Sequence, residues 1–377
     1  MAEVHVLLVS AQAAPNLLPT LDPQFHAREA VLVVSGKMQK RADDLERVLR
    51  EAGVRTSRVN VENEHDLACL EDTFLGIAEA KPDQEIALNL TGGTKLMALA
   101  AQNVASMARW ESFYVDVDTD EVIFLDRKQP PSPLTPTLGL SHYLQAYGFR
   151  KEQAPPPAPL DHGADELLQT LIMQVGSLHR PLGQLNWLAQ EAEMRNRLTV
   201  KMASEQLDSI SLGALIRIFE EAGLLTVESD SLRFADAPAR SFTKGGWLER
   251  HVFRRVAALR DHLGIRDHAA NLQLIDAQGV RNELDVVCIA RNRLFVIECK
   301  TARMDGGRAE KANDSLFKLA EVCRRVGGLG ARGMLVSYRP MAEAELRLAS
   351  ALGIEVVFGT AISSFDDRLR AWVRPGG

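Results

Sequence analysis

Residues 85–108 read "EIALNLTGGTKLMALAAQNVASMA": an apolar run, a turn with two glycines, and a long stretch with helical periodicity. This order predicts a buried strand, a tight turn and a helix that begins near Thr94. Gly92 and Gly93 let the backbone approach a ligand closely and adopt positive φ. A helix that starts directly after such a turn presents free N–H groups to an anion. The stretch therefore predicts an α/β domain with an anion site at this turn.

The turn does not match the common phosphate-binding loops. A Walker A loop requires glycine directly before its lysine, whereas Thr94 precedes Lys95 here, and the GxGxxG spacing is also absent. Thr91 and Thr94 nevertheless offer hydroxyl groups and Lys95 offers a positive charge. The alternative is a purely structural strand–helix turn in which Thr94 is only the N-cap.

Strand-like and helix-like patterns alternate through the first 150 residues, which is typical of a parallel, doubly wound sheet. The near-continuous apolar strands agree, because both faces of such a sheet are covered. Ligands bind at the carboxyl ends of the strands, which here carry "SAQAAPN", "SGKM" and "TGGTK". The predicted strands span 4–9, 31–34, 54–61, 85–90 and 113–117, and the predicted helices span 38–52, 66–80 and 94–108.

The middle of the chain is predicted to be a linker followed by a small helical module. Residues 129–160 are proline-rich, and proline removes backbone donors and stiffens a chain, which favours a connector. Residues 164–236 have the pattern of two or three helices, a turn at Gly223 and a two-stranded wing, as in a winged-helix-like module. A plain helical connector is the alternative. The acidic balance of residues 151–239 argues against this part gripping DNA.

A second α/β pattern follows, and within it the stretch 282–301, "NELDVVCIARNRLFVIECKT", predicts an antiparallel hairpin. Side chains at i and i+2 share a face of a strand, so Glu283 lies with Asp285 and Glu298 lies with Lys300. The two pairs can converge on one side of the hairpin. The predicted helices of this part span 246–260, 308–325 and 341–351, and the predicted strands lie near 271–276, 283–290, 293–299, 333–337 and 354–358.

Carboxylates converging beside a lysine predict a site for a hard divalent cation. Carboxylate oxygens are the ligands that Mg²⁺ and Mn²⁺ prefer, and such an ion activates water and offsets negative charge. Lys300 would orient the water or stabilise the developing charge, and Glu249 on the preceding helix would add a ligand. The alternative is a surface hairpin with alternating charge. The apolar residues between the charged ones favour a site, because burying an unpaired charge is costly.

Composition and charge restrict the class of protein. A chain of 377 residues suits two or three domains, and no apolar run reaches 18 residues. The N-terminus lacks a basic region and a cleavage site, and the four scattered cysteines read as reduced thiols, so we expect a cytoplasmic protein with no membrane association. Residues 240–377 carry 23 Lys and Arg against 16 Asp and Glu, although the whole chain has a net charge of -6. The basic excess could attract a polyanion locally, or it could be a solvated face.

These motifs resemble known families at both ends of the chain. Asp285, Glu298 and Lys300 match the core of the PD-(D/E)xK nuclease superfamily. Glu249 matches its helix acid, and Leu284 stands where the superfamily usually has proline. The glycine turn resembles the ligand loop of CARF domains, the sensors of type III CRISPR defence. Together the motifs resemble the single-CARF ancillary nucleases of that defence, while the middle of the chain is less diagnostic.

The resemblance implies a Rossmann-like CARF sensor domain at 1–150, a linker with a winged-helix-like connector at 151–240, and a restriction-endonuclease-like α/β nuclease domain at 241–377. It implies cyclic tetra-adenylate as the activator, bound across a homodimer whose two-fold axis matches that of the ring. Gln12 and Ser35 could equally be ordinary loop residues. The implied ring contacts are Ser10, Gln12, Asn16, Ser35, Met38, Thr91, Gly92, Gly93, Thr94, Lys95 and Met97.

The leading hypothesis is an endonuclease, gated by the cyclic oligoadenylate, that cleaves DNA or RNA with little sequence preference and uses Mn²⁺ or Mg²⁺. Glu249, Asp285 and Glu298 would hold the metal. A ligand-responsive transcription regulator with an inactive nuclease fold is the alternative, and a sensor that also cuts its own ring is a third possibility. The candidate phosphate contacts are Lys244, Arg250, Arg254, Arg255, Arg303, Arg308, Lys311 and Lys318.

Overall fold

The structure is a computed structural model that describes residues 2–25, 27–152, 163–301 and 310–374, without the side chains of residues 310–312. This part of the chain forms three sheets, of seven, three and six strands. None of its helices is long and apolar enough to cross a lipid bilayer. The arrangement confirms the predicted α/β class with a winged-helix-like module in the middle.

The first sheet has the strand order β3-β2-β1-β4-β5-β6-β7 and is parallel from β3 to β5. The predicted strands and helices of this domain are confirmed to within about two residues, the usual uncertainty of element ends. The strands are β1 Val4–Leu8, β2 Glu29–Val34, β3 Arg55–Asn60, β4 Ile86–Asn89, β5 Glu111–Asp116, β6 Glu121–Phe124 and β7 Ser132–Pro133, and the helices are α1 Ala14–Leu21, α2 Gln39–Glu51, α3 Leu67–Ala80 and α4 Lys95–Ala108.

The strand order reverses between β1 and β4. The chain runs from β1 outward to β3 on one side and then crosses to β4 on the other side of β1. Connections on either side of this point leave the sheet in opposite directions, which opens a crevice at the carboxyl ends of β1 and β4. The glycine turn follows β4 directly, so it lies at the crevice.

The proline-rich stretch is more structured than a linker in its described part. It contains β7, a helix α5 (Leu140–Ala146) and a strand β8 (Phe149–Lys151). Apolar residues scattered among the prolines, such as Leu134, Leu138 and Leu140, are buried and hold this segment against the domain. The linker interpretation was therefore wrong for residues 132–151. The rest of the predicted linker, 153–162, lies outside the described residues.

The middle module has the predicted winged-helix-like topology. Its helices are α6 Gly163–Met173, α7 Val175–Met194, α8 Ser204–Leu207 and α9 Ile210–Glu221. The wing has three strands instead of two, because β9 (Thr199–Lys201) pairs with β11 (Ser231–Phe234) beside β10 (Leu225–Glu228). A three-residue strand between two helices carries too little alternation to be predicted.

The third sheet has the order β16-β15-β14-β13-β12-β8 and carries the predicted hairpin at its centre. Its first long strand begins at residue 265 and not, as was predicted, near 271. The early part of this strand is half-buried and polar, so it lacks the apolar pattern on which the prediction relied. Pairing with the next strand stabilises it. The elements are α10 Ala237–Ser241, α11 Trp247–Ala258, α12 Arg260–Leu263, β12 Ile265–Asp276, β13 Arg281–Ala290, β14 Arg293–Lys300, α13 Glu310–Gly327, β15 Arg332–Ser337, α14 Glu343–Ala351, β16 Ile354–Phe358 and α15 Phe365–Val373.

The hydrophobic cores cross the boundaries between these parts. One core joins residues of the first sheet, such as Leu7, to residues of the third sheet, such as Leu294. A second core joins the middle module, through Leu185, to the other face of the third sheet, through Phe295. Apolar burial between parts resists their separation. The first and third sheets are therefore in direct contact, in addition to their connection through the middle module.

Polar contacts reinforce the junction between the first and third sheets. The Leu329 backbone N–H, in a turn after α13, donates to Gln12 Oε1 at 3.0 Å. Arg293, the first residue of β14, donates to the Val117 carbonyl at 2.7 Å. Tyr143 of α5 donates to the Gly327 carbonyl at 3.2 Å. A loop at the crevice thus touches the domain that carries the acidic hairpin.

Gly328→Ala tests this junction, with Gly264→Ala as its control. Both glycines have φ of 63°, so the added methyl group costs the same backbone strain of about 1–2 kcal/mol. A methyl group at Gly264 meets open space, whereas at Gly328 it would overlap the Gln12 carboxamide oxygen and approach Tyr147 to 3.0 Å. We expect Gly328→Ala to lower the free energy of unfolding by about 1 kcal/mol more, from the lost hydrogen bond. Equal midpoints in thermal or urea unfolding would contradict the contact.

Candidate functional site

The loops after β1 and β4 are tied together by a buried amide pair. Asn89, fully buried at the end of β4, donates to the Pro15 carbonyl at 2.8 Å and to Asn16 Oδ1 at 3.0 Å. Asn16 in turn donates to the Leu8 carbonyl at 2.9 Å. The predicted contact Asn16 is only 1% exposed, so its amide shapes the floor of the crevice.

Asn89 also sets the start of the glycine turn. Its Oδ1 accepts hydrogen bonds from the Thr91 N–H at 3.0 Å and from the Thr91 hydroxyl at 2.7 Å. The same hydroxyl accepts the Val115 N–H of β5 at 2.7 Å. Asn89 was not among the predicted site residues, and its signal in the sequence was a polar residue at the end of an otherwise apolar strand.

The two glycines are required by the packing of the turn. Gly92 is buried against β1, and a methyl group there would overlap the Leu8 carbonyl oxygen. Gly93 has φ of 72°, which disfavours other residues. The turn therefore lies directly on the end of β1 and brings its next residues to the crevice.

Thr94 and Lys95 are the exposed part of the turn. The Thr94 hydroxyl accepts the Met97 N–H at 3.2 Å and caps α4, as the structural alternative predicted. Capping and ligand binding are compatible, since Thr94 and Lys95 are both exposed at the amino terminus of a 14-residue helix.

The remaining predicted contacts differ in accessibility. The half-buried Ser10 hydroxyl accepts the Gln12 N–H at 3.2 Å, and the Gln12 side chain reaches Leu329. Ser35, after β2, is 4% exposed, and its hydroxyl bonds to Glu64. Met97 is 1% exposed in the core beneath the turn, and Met38 is partly buried against the other core. A ligand in the crevice would meet Ser10, Gly93, Thr94 and Lys95 first.

The acidic hairpin opens at the position of the predicted site. The last backbone pair between β13 and β14 is Val286 with Ile297. Beyond it, the Cys299 N–H donates to Asp285 Oδ2 at 2.7 Å. A side-chain carboxylate thus replaces the next backbone acceptor and is fixed beside Glu298.

Three predicted acids are close enough to act on one another electrostatically. Burial, followed by repulsion from Glu298 and Glu249, raises the pKa of Asp285 to about 7. Burial and then the Glu283 carboxylate raise the pKa of Glu249, which lies in the first turn of α11. The structure therefore places Glu249, Asp285 and Glu298 within electrostatic range of one another.

Lys300 supplies positive charge inside this cluster. Its ammonium contacts the Glu298 carboxylate, as expected for side chains two residues apart on a strand. Burial acts to lower the pKa of Lys300, but the Glu298 carboxylate outweighs it and raises that pKa above its usual value. Lys300 stays cationic, and the cluster retains an excess of carboxyl groups.

The donor set suits a divalent cation, although it is not arranged as a finished cage. Among the described residues, no three His, Cys, Asp or Glu side chains already form a metal-holding group. Burial, followed by repulsion from neighbouring carboxylates, raises the pKa values of Asp285 and Glu249, so a nearby positive charge would stabilise their ionised forms. An ion such as Mg²⁺ or Mn²⁺ takes oxygen ligands of this kind. The residues fit a metal that draws the carboxylates together.

Most of the predicted phosphate contacts that are described have acidic partners. Arg250 and Arg254 pair with Asp165 of α6, and Arg255 pairs with Asp366. Lys244 pairs with Glu193 at 2.7 Å, and Lys318 is exposed on α13. Arg303, Arg308 and the side chain of Lys311 lie outside the described residues.

Family models match both ends of the chain. Residues 4–143 match the Card1 CARF domain, and residues 236–375 match the Card1-like endonuclease domain. The fold and its two sites thus define a protein that joins a CARF domain to an endonuclease domain. Since the matched regions make up most of the chain, it belongs to the Card1 family.

Solved structures agree with this assignment. Protein VC1899 from Vibrio cholerae is 26% identical, with a TM-score of 0.89 over 99% of this chain and 98% of that one. Can2 from Sulfobacillus thermosulfidooxidans, solved with cyclic tetra-adenylate, is 24% identical, with a TM-score of 0.85 over 98% and 99%. A type III CRISPR defence DNA nuclease activated by cyclic oligoadenylate is 23% identical, with a TM-score of 0.54, over 89% of this chain and 45% of that one. A search of curated proteins found no significant match.

Gly92→Ala tests the packing of the glycine turn on β1. Because the methyl group would overlap the Leu8 carbonyl, the backbone must shift, and we expect a loss of about 1–3 kcal/mol in the free energy of unfolding. Gly76→Ala is the control, because Gly76 lies in α3 with open space around it. The control should be neutral or stabilising, since alanine favours helices. Urea unfolding measures both variants, and equal stability would contradict the packing.

Proposed function

We propose that this protein is a metal-dependent endonuclease of type III CRISPR antiviral defence, activated by a cyclic oligoadenylate, with cyclic tetra-adenylate as the leading candidate. The observation that carries the proposal is the presence of two sites in one chain: an anion-competent turn in the CARF domain and a buried carboxylate–lysine cluster in the endonuclease domain, whose sheets share a core. Four thiols without disulfide bonds suit a cytoplasmic protein.

Ring phosphates would bind at the amino terminus of α4. The exposed Lys95 and the N–H groups after Gly93 supply positive potential, and Ser10 adds a hydroxyl from the neighbouring loop. A two-fold ring contacts two equal crevices most simply in a homodimer, where each protomer contributes one turn. The solved complex of Can2 with cyclic tetra-adenylate supports the choice of ring.

The nuclease site would cleave phosphodiester bonds by the chemistry of the PD-(D/E)xK superfamily. Glu249, Asp285 and Glu298 would hold Mn²⁺ or Mg²⁺, which supplies activation of water and neutralisation of phosphate charge. Lys300 stays cationic beside Glu298, where it can orient a water and stabilise charge on the phosphate. Cys299 anchors the strand by donating to Asp285. The expected substrate is DNA or RNA, cleaved with little sequence preference.

Activation would pass through the junction between the first and third sheets. Gln12 belongs to the crevice loop and bonds to the turn after α13. A ring that binds this loop more tightly in one arrangement of the junction would shift the population toward that arrangement. The winged-helix-like topology also suits a regulator, and ring-dependent DNA binding without any cleavage would favour that alternative.

Substitution of the catalytic cluster should separate chemistry from sensing. We expect Glu298→Ala and Lys300→Met to abolish plasmid cleavage in Mn²⁺ with the ring present, because the first removes a metal ligand and the second removes the cation beside the reacting phosphate. Binding of cyclic tetra-adenylate, measured by calorimetry, should be unchanged. Glu343→Gln, an exposed change on α14, is the control. Cleavage by Glu298→Ala at the wild-type rate would exclude this site.

Substitution of the sensor lysine should raise the ring concentration needed for activation. We expect Lys95→Ala to weaken ring binding about tenfold or more, since a charge-assisted contact is worth about 1.5–3 kcal/mol and each protomer of the dimer loses one. Saturating ring should restore cleavage. Lys128→Ala, an exposed lysine outside the crevice loops, should activate like wild type. Unchanged activation of Lys95→Ala would contradict this placement of the ring.

A further inference from the structure

The middle module contacts the nuclease site through one face of α7. Gly183, Asn186 and Glu193 recur at the spacing of a single helix face. Each lies against a segment of the third sheet or of the loop before α11. A module that served only as a spacer between two domains would not need these contacts.

Asn186 holds the end of the strand that carries the catalytic pair. Its Nδ2 donates to the Thr301 carbonyl at 2.9 Å, across 115 positions of sequence. Thr301 directly follows Lys300 at the end of β14. Asn186 is 8% exposed, so its hydrogen bond is shielded from water, and a buried amide that loses its partner is costly.

The other side of Thr301 is held by the loop before α11. The Thr301 hydroxyl donates to the Lys244 carbonyl at 3.4 Å. Gly245 has φ of 150°, and a methyl group there would overlap that hydroxyl. Lys244 itself pairs with Glu193, the last member of the α7 face. Thr301 is therefore clamped between α7 and this loop.

The same helix face also covers the next strand. A methyl group at Gly183 would overlap the Arg339 guanidinium and lie 3.3 Å from the Tyr338 hydroxyl. Both residues follow β15, whose last residue Ser337 pairs with Lys300. The α7 face thus spans the carboxyl ends of two adjacent parallel strands, one of which carries Glu298 and Lys300.

We infer that Asn186 of the middle module is a positioning residue of the nuclease, which fixes the Lys300–Thr301 segment through the Thr301 carbonyl. The inference rests on the proposed nuclease site. It means that the winged-helix-like module helps to position the residues of that site. Loss of the amide donor frees the end of β14, and Lys300 then samples orientations away from the reacting phosphate, where a displacement of about 1 Å is costly.

Asn186→Asp is the sharpest variant, because it keeps the shape and replaces the donor by an acceptor that faces the Thr301 carbonyl. Asn186→Ala removes the donor without introducing charge, in case the first variant does not fold. Gln184→Glu makes the same amide-to-acid change at an exposed position of the same helix and is the control. Lys300→Met runs in the same assay and reports on the nuclease site itself.

The measurement is steady-state plasmid cleavage in Mn²⁺ with saturating cyclic tetra-adenylate, together with ring affinity and melting temperature. We expect both Asn186 variants to lower kcat about tenfold or more, with KM and ring affinity within about twofold of wild type. Gln184→Glu should match wild type. An Asn186 variant with wild-type kcat overturns the inference. A lower kcat that comes with comparable losses of melting temperature and ring affinity also overturns it. If Lys300→Met cleaves normally, or wild type does not cleave, the nuclease proposal fails first.

Discussion

The main constraint on this structure is the free-energy cost of burying several carboxyl groups close to one another. At the end of the β13–β14 ladder, Asp285 accepts the Cys299 N–H in place of a backbone acceptor, and burial, followed by repulsion from Glu298 and Glu249, raises its pKa to about 7. One lysine does not neutralise this group. A fold keeps such an arrangement only where its surroundings fix it, and perturbed pKa values of this kind concentrate at functional sites. The packing around the cluster is what holds the acids in place.

That packing comes from three parts of the chain. The third sheet has one face in a core shared with the CARF domain and the other face in a core shared with the middle module. A movement of either neighbour therefore displaces the strands that carry the acids. Packed interfaces change between discrete arrangements and do not deform continuously, which suits a switch. The crevice loop, through Gln12, is in contact with this packing.

Local signals in the sequence were sufficient for most elements of the first domain and for the shared strand faces of the acids. Strand–turn–helix order and glycine content located the turn, and the period of two placed Glu298 and Lys300 on one face. The roles of Asn89 and Asn186 could not be predicted, because each depends on partners distant in sequence: Pro15 and Thr301. The linker interpretation was wrong for residues 132–151 because proline content reports local stiffness and not the burial of neighbouring leucines. Long-range pairing also extended β12 beyond its apolar pattern.

The central claim is that a ring bound in the CARF crevice controls the carboxylate–lysine cluster. Cleavage of supercoiled plasmid by the wild-type protein in Mn²⁺, with and without cyclic tetra-adenylate, tests it most directly. We expect intact plasmid without the ring and nicked or linear plasmid with it, with a rate that saturates as ring concentration rises. Equal cleavage with and without the ring, or none in either case while the ring binds, would contradict it.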